Sequence, residues 1–137
     1  MLPVNKSAAQ PTTDPPSVYA TLLAAGELER GARVTAAGPL TVECRRLLIP
    51  PGAELPWHVH DGTVIVVIAR GVISRFSAIH ANGVRTYSAG EAMCEQPGEV
   101  HRGRNDGTEE VELWATYLTP PGAPLSRPVP PPPWSDG

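Results

Sequence analysis

Cysteine, aromatic side chains, long apolar runs and a surplus of either charge are all scarce in this chain. Only Cys44 and Cys94 are present. They form no CxxC pair and are too few for a disulfide scaffold, so they read as two buried thiols in a reducing compartment. Aromatics supply only 5% of the residues, although the apolar share of 41% is ordinary. A formal charge of -3, with no basic stripe, removes any argument for a nucleic-acid surface. No apolar run approaches membrane-spanning length. The first residues, Met1 to Lys6, lack the apolar centre of a secretory signal, so a cytoplasmic location is the expectation.

Proline and glycine are abundant, at 17 and 13 of 137 residues. Together they predict many turns and leave little room for long helices. The length fits one domain with its own core. Residues 1–16 carry four prolines among small polar residues and read as a flexible arm. From Ser17 to Glu29, a capping serine followed by Val18, Leu22, Leu23 and Leu28 predicts a short helix, frayed at Gly26.

Beyond Ala32 the pattern changes to short extended runs closed by turn residues. Strands are expected over 33–37, 40–49, 55–60, 63–69, 72–80, 84–87, 91–95, 100–104 and 110–118. Thr63 to Ala69 is apolar on both faces and should be a central, covered strand. Val72 to His80 is expected to return antiparallel to it, and Asn82-Gly83 to turn a hairpin. Many short strands punctuated in this way argue for an antiparallel sandwich or barrel. The core domain is placed at 17–118. Residues 119–137 hold eight prolines, including Pro130 to Pro133, and are expected to lie outside any ladder as a polyproline-like tail.

One stretch within this frame carries chemistry. His58 and His60 stand two apart on an expected strand, so both imidazoles point to one face. A third imidazole from elsewhere would complete a facial set of nitrogen donors for a transition metal. His101, following Gly98 and preceding Asn105, is the expected third member.

The spacing of these residues resembles the two motifs of the cupin superfamily. Gly52, His58, His60 and Gly71 stand at the intervals of the first motif, and Gly90, Gly98, His101 and Asn105 at those of the second. The resemblance covers roughly residues 40–118 and implies an all-β double-stranded β-helix, a jelly-roll barrel. It also implies one divalent transition metal (Fe, Ni, Zn, Cu or Mn) held in the barrel by His58, His60 and His101. Two departures stand out. The first motif's glutamate should fall at Val64 or Ile65, and both are apolar. Gln96 replaces the second motif's proline, with Pro97 one place later.

Glu95 follows the apolar run Ala92-Met93-Cys94. A carboxylate there is costly to bury unless it is paired or metal-bound. It is therefore the candidate substitute ligand or catalytic acid/base, the alternative being a solvent-facing residue paired with Arg102 or Arg104. His80, before Ala81-Asn82-Gly83, is expected at an exposed hairpin tip, and Trp57 should point away from the metal. One of Trp114 and Tyr117, which have opposite parity, should line the cavity, and one of the consecutive Arg45 and Arg46 is a candidate to hold a substrate carboxylate.

The resemblance leads first to an oxygenase-like, metal-dependent enzyme acting on a small organic substrate. The alternatives are a metal-dependent isomerase, lyase or cyclase, and a non-enzymatic binding module. A homodimer is expected by analogy, with neither nucleic acid nor membrane as a partner.

Overall fold

The computed structural model describes residues 15–136, so most of the expected N-terminal arm, residues 1–14, lies outside the described residues. The strands are β1 (Thr41–Ile49), β2 (Glu54–Val59), β3 (Thr63–Arg70), β4 (Val72–Ser77), β5 (Val84–Ser88), β6 (Ala92–Glu95), β7 (His101–Arg104), β8 (Val111–Thr119) and β9 (Arg127–Pro128). They form a sheet of order β1-β8-β3-β6 and another of order β5-β4-β7-β2-β9. Every pairing between these strands is antiparallel.

Alternation fixes the inner faces. Along β8, Val111, Leu113, Ala115, Tyr117 and Thr119 are buried while the residues between them are half-buried. β3 lies between β8 and β6, the central position its apolar sequence predicts, and contributes Val64, Val66 and Ile68. Ile73, Tyr87, Met93 and Ile49 complete the core from both sheets. Each fully buried aliphatic side chain contributes about 1.5–3 kcal/mol. Gly62 makes the β2–β3 corner possible, because a Cβ there would sit 1.8 Å from the Leu118 carbonyl oxygen.

Four expectations are corrected. Ser17–Glu29 forms no helix and is irregular apart from a bridge at Glu27. Val18, Tyr19, Leu22 and Leu23 are each more than 60% exposed, so little of the apolar stripe is buried against the described residues. Helices of this length depend on such packing. Glu27 is instead drawn into a parallel bridge with Glu91, donating to the Gly90 carbonyl at 3.0 Å and accepting from the Ala92 amide at 3.0 Å. Gly26 permits this approach, since a Cβ there would lie 2.5 Å from the Glu91 carbonyl oxygen.

The expected strand at 33–37 has no ladder partner and is irregular, with Val34 exposed. β4 does not return beside β3: at Gly71, with φ +83°, the chain crosses to the other sheet, where β4 pairs with β5 and β7. The hairpin expected at Asn82-Gly83 does form, with Asn82 at φ 57°. Finally, the proline-rich tail does make a ladder. Arg127 and Pro128 pair with Val59 and His58 at the free edge of β2, where a proline is tolerated. Among the described residues no helix is long and apolar enough to cross a membrane.

Candidate metal centre

Register brings the histidines together. His58 on β2 lies directly opposite His101 on β7, with ring centroids 4.2 Å apart. His60, just past the end of β2, shares the face of His58, and its ring lies 5.0 Å from that of His101. One ligand nitrogen from each ring falls within 4.8 Å of the others. His60 and His101 are buried, and His58 is half-buried.

The ring nitrogens divide by role. Each Nδ1 meets a backbone carbonyl: Pro56 for His58 at 2.5 Å, Leu125 for His60 at 2.7 Å, and Glu99 for His101 at 2.8 Å. A carbonyl only accepts, so each Nδ1 carries the proton and donates. In a neutral ring the lone pair is then on Nε2, the state a metal ligand needs.

A carboxylate faces the same point. Glu95 on β6 pairs across the ladder with Val64, so its side chain enters from the opposite sheet on the inner face. Its oxygens lie 3.0 Å from His60 Nε2 and 3.2 Å from His101 Nε2. His101 Nε2 is fully buried yet has no aligned hydrogen-bond partner. Three imidazole nitrogens thus converge, with a carboxylate against two of them, and offer acceptor atoms with too few protons, an arrangement that a cation satisfies. The donor set, soft enough for Fe, Ni, Zn, Cu or Mn, fits one divalent transition metal.

The electrostatics follow from the same contacts. Burial would raise the Glu95 pKa, but the His101 and His60 rings against it and the nearby Arg75 charge outweigh it and hold the carboxyl well below its ordinary range. Glu95 is therefore a carboxylate at neutral pH. Burial and the neighbouring His101 lower the His58 pKa to about 4, against the pull of the Pro56 carbonyl. Burial also opposes a charge on His60, but both its nitrogens face oxygens and the Glu95 carboxylate prevails, so its pKa is raised.

Glu95 has a partner the sequence reading missed. The expected alternatives were Arg102 and Arg104; the guanidinium beside it is Arg75, with Nε 3.7 Å away. Arg75 is almost completely buried, forms an ion pair with Glu99, and has NH1 3.1 Å from His80 Nε2. Ser77 donates to the Glu99 carboxylate at 2.8 Å. The signal was available: alternation along β4 puts Ile73, Arg75 and Ser77 on one face, and a charged side chain between two buried neighbours needs a buried partner. His80, expected at an exposed tip, is half-buried against this arginine.

Inward of the histidines is a cavity of about 50 Å³ walled by Leu47, Val64, Val66, Ile73, Met93, Leu113, Ala115 and Tyr117. Outward, a chamber of about 420 Å³ shares His58, His60 and Tyr117 and is bounded by Arg45, Arg46, Leu125 and Pro128. Tyr117 is thus the cavity-lining aromatic, whereas Trp114 donates to Glu112. Trp57 packs away from the histidines against Phe76 and Trp134, beneath the Arg102 guanidinium. Arg45 has the parity of Leu47 and Ile49 and reaches the rim paired with Glu43. Cys94 faces away from the metal cavity, and Cys44, expected to be buried, is exposed beside Thr116. Asn105 is a fully buried turn residue that donates to the Ile49 and Glu109 carbonyls.

Comparison with known proteins bears on this geometry. The family described as Cupin domain matches residues 45–118. A double-stranded β-helix protein of Klebsiella pneumoniae is similar at a TM-score of 0.54 and 19% identity, over 68% of this chain and 89% of that one. A cupin-like protein of Thermotoga maritima is similar at 0.56 and 20%, over 64% of each chain. A predicted oxalate decarboxylase, also from Thermotoga maritima, is similar at 0.50 and 25% identity, over 56% of this chain and 64% of that one. No curated protein matches in sequence.

Proposed function

Since this chain belongs to the Cupin domain family, we propose that it is a metal-dependent enzyme, oxygenase-like, acting on a small organic substrate. In this reading His58, His60, His101 and Glu95 hold one divalent transition metal. The observation that carries it is the convergence of three imidazole nitrogens, two of them on buried rings that the Glu95 carboxylate faces. A metal bound there would supply Lewis acidity and, if redox-active, one-electron chemistry toward dioxygen.

The chain's own residues set the conditions. Glu95 restores a carboxylate in a site whose expected position, Val64, is apolar. Its depressed pKa suits a ligand or a proton acceptor and argues against a neutral acid. Val64, Val66, Met93, Leu113 and Ala115 exclude water from the inner cavity, whose volume admits a molecule of only a few atoms. The outer chamber, eight times larger, suits the organic substrate, and Arg45 at its rim offers a guanidinium for an anionic group.

Elemental analysis of the purified protein, followed by aerobic and anaerobic turnover against a panel of thiols, enols and small carboxylates, tests this. The expected result is about one transition-metal ion per chain and turnover that consumes oxygen. Turnover undiminished without oxygen would replace the oxygenase with an isomerase, lyase or cyclase that uses Glu95 as base. Retained ligand without turnover would make the chain a binding module.

A further inference from the structure

The ligands differ in how their orientation is secured. His58 and His101 each donate Nδ1–H to a carbonyl two residues earlier, Pro56 and Glu99. Those bonds form wherever β2 and β7 form. His60 has no such local partner; its Nδ1 is held by the Leu125 carbonyl, 65 residues later, in the proline-rich tail.

The tail is fastened close to that bond. Arg127 grips Asp61, the residue after His60, with Nε 3.0 Å from both carboxylate oxygens and NH2 2.8 Å from Oδ2. Arg127 and Pro128 pair with Val59 and His58, and the Val129 amide donates to the Trp57 carbonyl at 3.1 Å. Farther on, Trp134 stacks edge-on against Trp57 at 5.6 Å and closes over Gly83, where a Cβ would lie 2.8 Å from the indole. Prolines on either side hold the backbone extended without competing hydrogen bonds of their own.

We propose that this C-terminal segment is a working part of the metal centre: docked, its Leu125 carbonyl fixes His60 with Nε2 free for the metal; undocked, it leaves His60 to rotate and exchange tautomers. Leu125 is thus a positioning residue acting through its backbone, and Arg127 and Trp134 are the fastenings. The same segment walls the outer chamber through Leu125, Ser126 and Pro128, so docking completes a ligand and the substrate space together. The proposal rests on the metal reading above.

The test uses the full chain carrying Arg127→Ala and Trp134→Ala together, with Arg70→Ala, at the far end of β3 and paired with Glu110 and Glu112, as control. Faster hydrogen exchange at the Val129 amide reports undocking. Zinc or cobalt(II) affinity, by competition with a chromophoric chelator, is expected to fall about 10–100-fold, the usual cost of losing a group that orients a ligand. In the chelator-treated protein at alkaline pH, imidazole ¹⁵N shifts should show His60 as the Nδ1–H tautomer in the parent and a mixture in the double variant. Exchanging the charges, with Asp61→Arg and Arg127→Asp in a chain retaining Trp134, should restore most of the affinity lost in Arg127→Ala alone. A Val129 amide that stays protected would overturn the assignment of the fastenings. Unchanged affinity and an unchanged tautomer in an undocked tail would overturn the proposal. If the parent binds no metal, the metal reading fails by itself, and the tautomer comparison still decides the role of the tail.

Discussion

Replacing Glu95 with glutamine keeps the shape of the side chain and removes its charge. The carboxylate sits 3.0 and 3.2 Å from two of the three candidate ligand nitrogens. Two unit charges about 4 Å apart attract by about 4 kcal/mol at an effective dielectric of about 20. Folding has already stripped the carboxylate of water, so little of that attraction is returned as a desolvation cost on binding. At about 1.4 kcal/mol per factor of ten, the Glu95→Gln variant should bind zinc or iron(II) about 10²–10³-fold more weakly. Chelator competition reads this directly. A loss near the lower end of about 10–100-fold would make Glu95 an orienting group, and larger losses a ligand. The metal-free chain gives a second readout. The folded Glu95 pKa is depressed, so its stabilisation is present above the unfolded value of about 4.3 and is lost as pH falls toward the folded one. The acid limb of the stability profile should therefore flatten in Glu95→Gln. Affinity within about threefold of the parent, a difference of about 0.7 kcal/mol, would refute the reasoning.

If Glu95 stands in for a carboxylate at Val64, the exchange Val64→Glu with Glu95→Val should recover most of the metal affinity that Glu95→Val alone abolishes, because paired residues share a face. In the metal-free chain His58, with a pKa of about 4, should keep its neutral-ring NMR shifts down to pH 5; titration near 6.5 would contradict its burial. Because the folded value is the lower one, the stability this neutral ring carries is intact above about pH 6.5 and is lost between there and about 4. Gly62→Ala should destabilise severely, by more than about 3 kcal/mol, since the backbone must move. Gly52→Ala, with φ +81° but open space, should cost only about 1 kcal/mol in the same urea melts. Tyr19, Leu22 and Leu23 are each more than 60% exposed among the described residues and form an apolar stretch that suits a second copy of the chain. Light scattering should find a homodimer, and Leu22→Asp with Leu23→Asp should yield monomer.

The sequence exposed what depends on short spacing. His58 and His60 share a face because strands alternate, and Pro-Gly and Asn-Gly steps mark where strands end, so most strand limits were legible to within a residue or two. The helix expected at Ser17–Glu29 failed for a reason no local pattern contains: its apolar side chains stay largely exposed among the described residues, while Glu27 finds a backbone partner at Glu91. The change of sheet at Gly71 was equally hidden, since a turn between adjacent strands reads the same whether it closes a hairpin or a corner. Proline content argued against any ladder in the tail, yet a two-residue rung at an open edge needs few amide donors, and Val129 supplies the next one.

The carboxylate is the clearest case of a feature that only register reveals. Along the chain, Val64 reads as a lost ligand and Glu95 as an awkward charge in an apolar run, two anomalies thirty-one residues apart. Across the β3–β6 ladder they are one position, because Val64 and Glu95 are paired and point into the same space. An apolar residue on one strand and a carboxylate on its neighbour give the interior the same two groups that the reverse order would give. What differs is the surroundings: on β6 the carboxylate comes within 3.7 Å of Arg75 Nε, and Arg75 in turn is tied to Glu99, whose own carbonyl orients His101. Placing the acid on β6 thus links the orientation of His101 to the charge of Glu95 through two residues, a connection an acid at Val64 would have to make by another route.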